Sequence, residues 1–446
     1  MQTKKIQVDI VNPKAAGIDV GSKSHFVCVG QKPNLVKEFG VNTSDHLNLI
    51  NYLKDYGIET IAMESTGSYW QSLFTVLQEA GFGVVLVPGS QTKVGIKKTD
   101  VLDCQHIQKL HMLGMLSGCY LPDEATSRIR NIARHRTFLV EQAAKNTNKI
   151  SKALRLMNIR LDNSIRDVVG KSGKAIIEAI LNGERDAAKL VELVDCRVKK
   201  PKEEIVLNLA GQWNDELLYE LRDSYELLKI YNTKIRNCDL VIEQILDELN
   251  VDKIIDPSIQ LAKKQDKGKH ACNASLAQQG FKLYGVDLMA IPGIGPGVML
   301  SMLSELGTSI SKFDSSKQFC SWLRLSPNNK ISGGRILGKK PLPTKSLLSK
   351  AFKDAANAVG LSKQNDSLCS FFRKIAFKKG RGAAIKATAR KIATIVYTMI
   401  VSKKSYQPLS TDDYKEAQRK KKIKYITETM KKLNISTLDL QPSPVS

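Results

Sequence analysis

The chain has 446 residues, of which 68 are lysine or arginine and 44 are aspartate or glutamate, giving a formal net charge of +24. Hydrophobic residues make up 42%, which excludes a wholly disordered chain and, with this length, predicts two or three folded domains. A basic surplus of this size favours a polyanionic partner, nucleic acid first, over a merely well-solvated basic surface.

The N-terminus and the cysteines favour a cytoplasmic protein. The stretch MQTKKIQVDIVNPK is too polar for a secretory signal, and no run of about 18 apolar residues predicts a membrane span. The eight cysteines have neither CxxC pairs nor zinc-site spacing. We therefore expect reduced cysteines that serve in packing, and no membrane partner.

Residues 15–118 predict an α/β domain. Three strands (AGIDV, HFVCVG and KEFGVNT) precede a helix, DHLNLINYLKDYG, whose predicted cap is Asp45. The strand TIAMES, the helix SYWQSLFTVLQEAG, the strand GVVLVPG and the helix TDVLDCQHIQKLHMLGMLSG follow. This order is typical of a ribonuclease-H-like (RuvC-like) fold, with a mixed sheet and helices on both faces.

The chain beyond residue 125 is predicted to be mainly helical. Apolar residues spaced alternately by three and four indicate either a coiled-coil seam or helices packed in a bundle, and residues 132–157 repeat the pattern more weakly, with Arg136 and Asn146 on the seam. The main seam comprises Leu228, Tyr231, Ile235, Cys238, Ile242, Ile245 and Leu249. The predicted domains are 1–124 (RuvC-like), 125–255 (helical or coiled coil), 256–282 (linker), 283–404 (mainly helical) and 405–446 (basic tail with a peripheral helix).

Four carboxylates of the first domain form a candidate metal site. Asp19 lies in the middle of an apolar strand, where an unpaired carboxylate is costly to bury. Glu64 ends a strand, and Asp100 and Asp103 are spaced to share one face at the start of a helix. Together they predict a site for Mg²⁺, with two ions about 4 Å apart and Mn²⁺ as a substitute.

Each of these acids also has a purely structural explanation. Asp100 taken alone is better explained as a helix cap, and Asp103 as a first-turn acid that interacts with the helix dipole. Glu64 could be an exposed strand end. Asp19 is the hardest to explain without a cation.

The stretch LMAIPGIGPGVMLSMLSELG predicts a glycine-rich turn that opens an apolar helix. It resembles a helix-hairpin-helix, in which backbone N–H groups bind DNA phosphates without reading sequence. Gly293, Gly295 and Gly297 are therefore candidate nucleic-acid contacts. The alternative is a tight helical turn that has a similar sequence but does not contact DNA.

A basic segment follows this turn. After the predicted helix SSKQFCSWLRL and a turn at PNNK, Ser332 stands before two glycines and Arg335. Between Lys330 and Lys353 there are seven basic residues and no acid, so Arg335, Lys339, Lys340 and Lys345 are candidate nucleic-acid contacts. By spacing alone, Ser332 is better explained as part of an ordinary Ser-Gly-Gly turn.

A second basic segment, from Arg373 to Lys391, carries eight basic residues and no acid. Its apolar positions recur at helical spacing, which predicts helices. Like charges packed this closely repel one another unless a polyanion neutralises them. We therefore predict a helical element that faces DNA, and a solvated basic face is the alternative.

Taken in order, five stretches resemble one family, the bridge-RNA-guided insertion-sequence transposases. These enzymes join a RuvC-like DEDD domain to a transposase domain that bears a serine. The resemblance covers roughly residues 15–120 and 285–400. The stretches are GIDVGSKSHFVCV, AMESTGSYW, KTDVLDCQHIQKL, IPGIGPGVMLSMLSELG and FCSWLRLSPNNKISGGRILGKKPLPTKSLLSKAFKDAA.

The resemblance implies a role for each candidate. Asp19, Glu64, Asp100 and Asp103 would form the metal-binding tetrad, and Ser332 would be the nucleophile that forms a phosphoserine link to DNA. A structured noncoding guide RNA would pair with donor and target DNA. The protein would assemble as dimers and as a tetramer made of two dimers, with active sites shared between the two domains. It would act in the bacterial cytoplasm, at the nucleoid.

Two other functions remain open from the residues. One is a metal-dependent nuclease of the Holliday-junction type, in which water attacks the phosphodiester and Ser332 is structural. The other is a nucleic-acid-binding protein without catalysis, in which the acids are caps and surface charges.

Overall fold

The computed structural model describes residues 9–30, 35–92, 99–251, 253–262, 264, 270–272, 275–339, 346–364, 366–408 and 411–432. These residues divide into two units, one that ends at Leu121 and one that begins at Pro122. Among the described helices, none is both long and apolar enough to cross a membrane.

The N-terminal unit alternates strands and helices as predicted. Its described elements are β1 (Ala15–Val20), β2 (His25–Cys28), β3 (Val36–Phe39), α1 (Thr43–Asp55), β4 (Thr60–Glu64), α2 (Trp70–Glu79), β5 (Gly83–Val87), α3 (Gly89–Thr92) and α4 (Asp100–Met112).

The strands form one mixed sheet in the order β3-β2-β1-β4-β5. β1 lies at its centre, antiparallel to β2 and parallel to β4. The outer pairs continue this arrangement, since β2 and β3 are antiparallel and β4 and β5 are parallel. The predicted mixed sheet is confirmed.

Helices cover both faces of the sheet, also as predicted. Ile18 and Met63 belong to a buried cluster that includes Leu49 of α1 and Leu73 of α2. Side chains alternate between the faces of a strand, so Gly17 lies on the opposite face, and α4 packs there.

Two details of these helices differ from the predictions. The cap of α1 is Asn42, and Asp45 instead lies in the first turn, where its carboxylate accepts a hydrogen bond from the Asn42 N–H at 3.1 Å. Helix α4 ends at Met112 and does not continue to Gly118, because Gly114 takes the left-handed conformation with φ of 67°.

The second unit begins with two long helices and four shorter ones. They are α5 (Glu124–Leu156), α6 (Leu161–Ser164), α7 (Lys171–Leu181), α8 (Ala187–Val191), α9 (Lys202–Leu209) and α10 (Asp215–Leu249).

Helices α5 and α10 pack along each other in opposite directions. Arg128 near the start of α5 pairs with Glu248 near the end of α10, and Arg136 forms a buried ion pair with Asp239. Five of the seven predicted seam residues are buried, and Tyr231 and Leu249 are half-buried. Residues of α6–α9 join the same hydrophobic cluster, which favours the bundle alternative.

The remaining elements of this unit are helical apart from one hairpin. They are α11 (Leu276–Tyr284), α12 (Pro296–Glu305), α13 (Ser316–Trp322), β6 (Asn329–Ser332), β7 (Arg335–Lys339), α14 (Leu347–Leu361), α15 (Ser367–Lys379), α16 (Arg381–Ser402) and α17 (Thr411–Lys432), with 3-10 turns at Leu288–Ala290 and Ser309–Lys312.

The C-terminal helices pack around buried aromatic rings. Phe319 of α13 has its ring centroid 6.4 Å from that of Phe352 on α14 and 6.1 Å from that of Tyr397 on α16. Part of the predicted linker is structured, since α11 begins inside it at Leu276. The N–H of Ala262, also within the predicted linker, donates to the Asp287 carboxylate at 2.8 Å.

Candidate active site and nucleic-acid contacts

Asp19 and Glu64 lie side by side near the carboxyl ends of two parallel strands. Residues 15–18 of β1 pair in register with residues 60–63 of β4, so the next residues along the two strands are Asp19 and Glu64. Residues paired in this way project from the same face, and neighbouring strands lie about 4.8 Å apart. The two carboxylates therefore share one face at one edge of the sheet.

Helix α4 brings its N-terminus to the same edge. Gln108, late in α4, donates to the Ala15 carbonyl at 3.3 Å, and a Cβ on Gly17 would lie 2.6 Å from the carbonyl oxygen of Cys104. Helix α4 therefore runs antiparallel to β1, so residues later in β1 lie nearer the start of the helix. Since Asp19 follows Gly17 by two residues, it lies on the face that α4 covers, towards the start of the helix.

Asp100 and Asp103 occupy this first turn of α4. Each lies one helical turn before a buried residue of the sheet-facing stripe, Asp100 before Cys104 and Asp103 before Ile107. The helix is capped by Thr99, whose hydroxyl oxygen accepts a hydrogen bond from the Leu102 N–H at 3.3 Å. The alternative that Asp100 serves as the cap is therefore wrong, whereas a first-turn position for Asp103 is confirmed.

Glu64 is held by two threonines. Thr66 donates to one carboxylate oxygen at 3.2 Å, and the Thr92 hydroxyl donates to the other. A Cβ on Gly89 would lie 2.6 Å from the first of these oxygens, so a larger residue there would displace the Glu64 carboxylate. No sequence pattern indicated Thr92 or Gly89, because their contact with Glu64 depends on how the chain returns after β5.

A pair of buried thiols lies beside Asp19. A hydrogen bond with Cys28, together with burial, raises the pKa of the Cys104 thiol, and the charge of Asp19 raises it further. This influence agrees with the position of Asp19 on the face of β1 that α4 covers. Both thiols are buried and serve in packing, as predicted for the cysteines.

The acids suit a hard divalent cation by their chemistry. Carboxylate oxygens are the ligands that Mg²⁺ prefers, and all four acids lie at one end of the unit. Within the described ranges, no three His, Cys, Asp or Glu side chains are close enough to hold a metal ion. The fold thus brings the elements that carry these acids to one edge of the sheet, but it does not bring the four carboxylates together at one point.

Ser332 lies at the tip of the β6–β7 hairpin. It pairs with Arg335 across Gly333 and Gly334, whose φ values of 55° and 75° fit a type I′ turn, a conformation that favours glycine. All four residues are exposed to solvent. The turn predicted at PNNK is shorter than expected, since Asn329 already belongs to β6.

The hairpin combines basic and apolar side chains. Arg335 starts β7 and Lys339 ends it, whereas Lys340 and Lys345 lie outside the described residues. Ile331 is 63% exposed and Leu337 is 71% exposed. Sequence reasoning missed these two exposed apolar residues, because a strand pattern does not indicate that a hairpin lacks cover.

The glycine-rich turn has the residue pattern of a type II turn. The N–H of Ile294 donates to the Ile291 carbonyl at 3.2 Å, with Pro292 second and Gly293 third, and Gly293 has φ of 84°. A Cβ on Gly293 would lie 2.4 Å from the carbonyl oxygen of Ala355 in α14. The turn and this close approach explain Gly293 without a ligand.

The other two glycines lie where the turn becomes helix α12. Gly295 is the N-cap, with Pro296 as the first helical residue, and a Cβ on Gly295 would meet nothing within 4 Å. Gly297 is exposed. The free N–H groups at this helix start can therefore approach an anion closely.

Basic side chains crowd together near α14 and α16. Burial and the nearby charge of Lys353 on α14 lower the pKa of Lys386 on α16. The Lys391 ammonium lies 4.6 Å from the ring centre of Phe371. Such proximity of like charges is what a polyanion would relieve.

Two family models match the chain. A DEDD transposase domain of the IS110 type (DEDD_Tnp_IS110) matches residues 16–159. The transposase domain of the IS116/IS110/IS902 family matches residues 287–367. Among curated proteins there is no significant match.

The sheet, its acid-lined edge and the two matches define a DNA transposase or recombinase, an enzyme that acts on DNA strands. The predicted enzyme class is confirmed. More narrowly, the chain carries the two transposase domains of the IS110 family of insertion sequences, in order. A DEDD domain also indicates use of a divalent metal.

Proposed function

We propose that this transposase excises and inserts a mobile element by cutting DNA at an acid-bound metal and linking one strand to Ser332. The observation that carries the proposal is the parallel register that sets Asp19 beside Glu64 at the edge where α4 begins. Two neighbouring carboxylates at this edge are what a phosphoryl-transfer site requires.

Asp19, Glu64, Asp100 and Asp103 are the residues that would hold the metal, which we take to be two Mg²⁺ ions that Mn²⁺ can replace. Bound there, such ions neutralise charge on the scissile phosphate. The hydroxyl groups of Thr66 and Thr92 keep the Glu64 carboxylate at the sheet edge. A bound cation would offset the like charge of these acids.

Ser332 supplies the nucleophile in this proposal. A bond forms between its Oγ and phosphorus while a phosphorus–oxygen bond of the DNA backbone breaks, the serine proton is released and the departing sugar oxygen takes one up. Reversal of the same step, with a different DNA hydroxyl as attacker, reseals the strand. The exposed hairpin tip supports this role, since a strand of DNA can reach the hydroxyl.

Nucleic-acid binding would be spread over three surfaces. They are the start of α12 with Gly295 and Gly297, the hairpin with Arg335 and Lys339, and the basic segment 373–391. Lys340 and Lys345 would extend the second surface, and Gly293 would position the first. The net charge of +24 supports contact with more than one nucleic acid.

We further propose a structured noncoding guide RNA that pairs with donor and target DNA, and an assembly of dimers into a tetramer in the bacterial nucleoid. Likeness to the IS110 family supports these proposals. A helix-hairpin-helix role for the turn before α12 belongs to the same proposal, as does a coiled-coil seam between α10 and α5 within the helical bundle.

A metal-dependent nuclease is the second candidate, because a type I′ turn fully explains the sequence Ser-Gly-Gly-Arg. The variants Ser332→Ala and Asp19→Asn separate the two functions. If the proposal is right, both variants lose strand transfer, and Ser332→Ala forms no protein–DNA adduct in Mg²⁺. Cleavage that continues in Ser332→Ala supports the nuclease, and unchanged activity of Asp19→Asn contradicts both.

A further inference from the structure

The ammonium group of Lys264 lies against the glycine-rich turn that precedes α12. Its Nζ donates to the carbonyl oxygen of Ile291 at 2.8 Å and to that of Ile294 at 3.2 Å. These two residues are the first and last of the type II turn, so one cation holds both of its ends.

Hydrogen bonds to Asp287 hold the chain on either side of these contacts. The Asp287 carboxylate accepts hydrogen bonds from the Ala262 N–H at 2.8 Å and from the Met289 N–H at 2.9 Å. Burial lowers the pKa of Lys264, while the charge of Asp287 raises it. A partly buried cation is costly unless it has partners, and here the partners are backbone oxygens of the turn.

The position has the chemistry of a cation site. Two carbonyl oxygens face one point, and their negative ends oppose each other unless a positive charge lies between them. Ile291 and Ile294 are fully buried, so water reaches these oxygens poorly if the ammonium is removed. Fixing them also fixes the peptide that leads into Gly295, the N-cap of α12.

We propose that Lys264 is a positioning residue for nucleic-acid binding. Its ammonium group occupies the place that a bound cation would take between the two carbonyl oxygens of the turn. It holds the start of α12 in the conformation that presents its free N–H groups to a phosphate. This inference rests on the proposed function of the turn. Lys264 and Lys350 also line the cleft of about 710 Å³ beside the turn, together with Asp354.

Chemical rescue tests the inference. Lys264→Ala leaves a space lined by two carbonyls that a small cation can fill. We expect the variant to lose at least tenfold in affinity for a DNA duplex. Methylammonium chloride should restore most of that affinity, relative to tetramethylammonium chloride at the same ionic strength, because the larger ion does not fit and cannot donate hydrogen bonds.

Lys350→Ala is the matched control. It removes an exposed lysine from the same cleft without touching the carbonyls, so its affinity should be the same in both salts, as for the unchanged protein. If Lys264→Ala does not fold, Lys264→Met keeps the apolar stem and should lose affinity without rescue. Two results overturn the inference. One is that folded Lys264→Ala binds DNA as tightly as the unchanged protein. The other is that its DNA affinity is the same in methylammonium and tetramethylammonium chloride.

Hydrogen exchange separates this inference from the function of the turn. In the free protein, Lys264→Ala should speed exchange at the hydrogen-bonded amides of Ile294 and Met299, on either side of Gly295, and methylammonium should slow it again. If these amides respond in this way but DNA does not protect them in the unchanged protein, the turn is not a nucleic-acid contact and Lys264 only stabilises it, which overturns the positioning role. If they do not respond, Lys264 does not hold the turn.

Discussion

Asp19 is a charged side chain within an otherwise buried strand, and its surroundings account for its position. The neighbouring residues of β1 pack into the core, whereas Asp19 faces the start of α4 beside Glu64. The sequence alone predicted Asp19 as the least explicable of the four acids. It could not predict the threonines on Glu64, because the chain that carries Thr92 returns to β4 only in the folded state.

His25 is another buried polar residue of this unit and makes its stability depend on pH. The side chain is 1% exposed, and its ring stacks 5.6 Å from that of His46. Burial, with a smaller contribution from His46, lowers the pKa of His25 from 6.5 to about 4. The unfolded chain therefore binds the proton at higher pH, and the free energy of unfolding decreases as pH falls from about 6.5 to 4.

Hydrogen exchange of the sheet amides between pH 4 and 7, corrected for the intrinsic rate, measures this effect. His25→Phe should flatten the pH dependence of their protection, and His135→Phe, at an exposed position, should leave it unchanged. An equal pH dependence in His25→Phe and the unchanged protein contradicts the assignment to His25.

Helix α4 depends on a glycine of β1 for its position. A Cβ on Gly17 would lie 2.2 Å from the backbone nitrogen of Gln108 and 2.6 Å from the carbonyl oxygen of Cys104. Both are backbone atoms, so no side chain can move aside. Gly17→Ala should push α4 away from the sheet and carry Asp100 and Asp103 with it.

We expect Gly17→Ala to lose strand-transfer activity at least a hundredfold and to unfold at a lower temperature. Gly83→Ala, where the nearest atom to a Cβ is 3.5 Å away, is the matched control and should retain activity. Calorimetry and a strand-transfer assay measure both. Full activity in Gly17→Ala would contradict the placement of the acids by this contact.

Whole elements were predicted correctly where hydrophobic periodicity is strong. The predictions failed where tertiary packing determines whether a helix forms or where it begins. Apart from the short helix α3, which was not predicted, the order of strands and helices up to α4 is as the sequence indicates, because the longer elements have a clear hydrophobic period and the helices are followed by glycine. The cap of α1 shifted to Asn42, since two polar residues near a helix start compete for that role. The start of helix α11 was not predicted, because it lies in a polar stretch without a clear hydrophobic period. Packing against Met299 of α12 contributes to its stability.

The charge of the entire chain determines how it binds nucleic acid. With a net charge of +24 and three proposed basic surfaces, we expect many phosphate contacts, each of which releases counterions. Affinity for nonspecific duplex DNA should fall by about 10³-fold or more between roughly 50 and 200 mM salt, as for proteins with about six to ten such contacts.

A titration at several salt concentrations gives the slope directly. Replacing Lys378 and Lys379, both exposed on α15, with glutamine should reduce the slope by about two. Replacing Lys199 and Lys200, which lie outside the proposed surfaces, should leave it unchanged. A flat salt response, or equal slopes for the two double variants, would contradict the basic segment 373–391 as an interface.

We propose that Ser332 becomes covalently attached to DNA when the acids of the N-terminal unit are intact. The most direct measurement is mass spectrometry of peptides from the protein denatured during reaction with its element's DNA ends in Mg²⁺. The account predicts a nucleotide adduct on the peptide that contains Ser332, absent in Ser332→Ala and in Asp19→Asn. Cleaved DNA with no adduct, or an adduct on another residue, would contradict it.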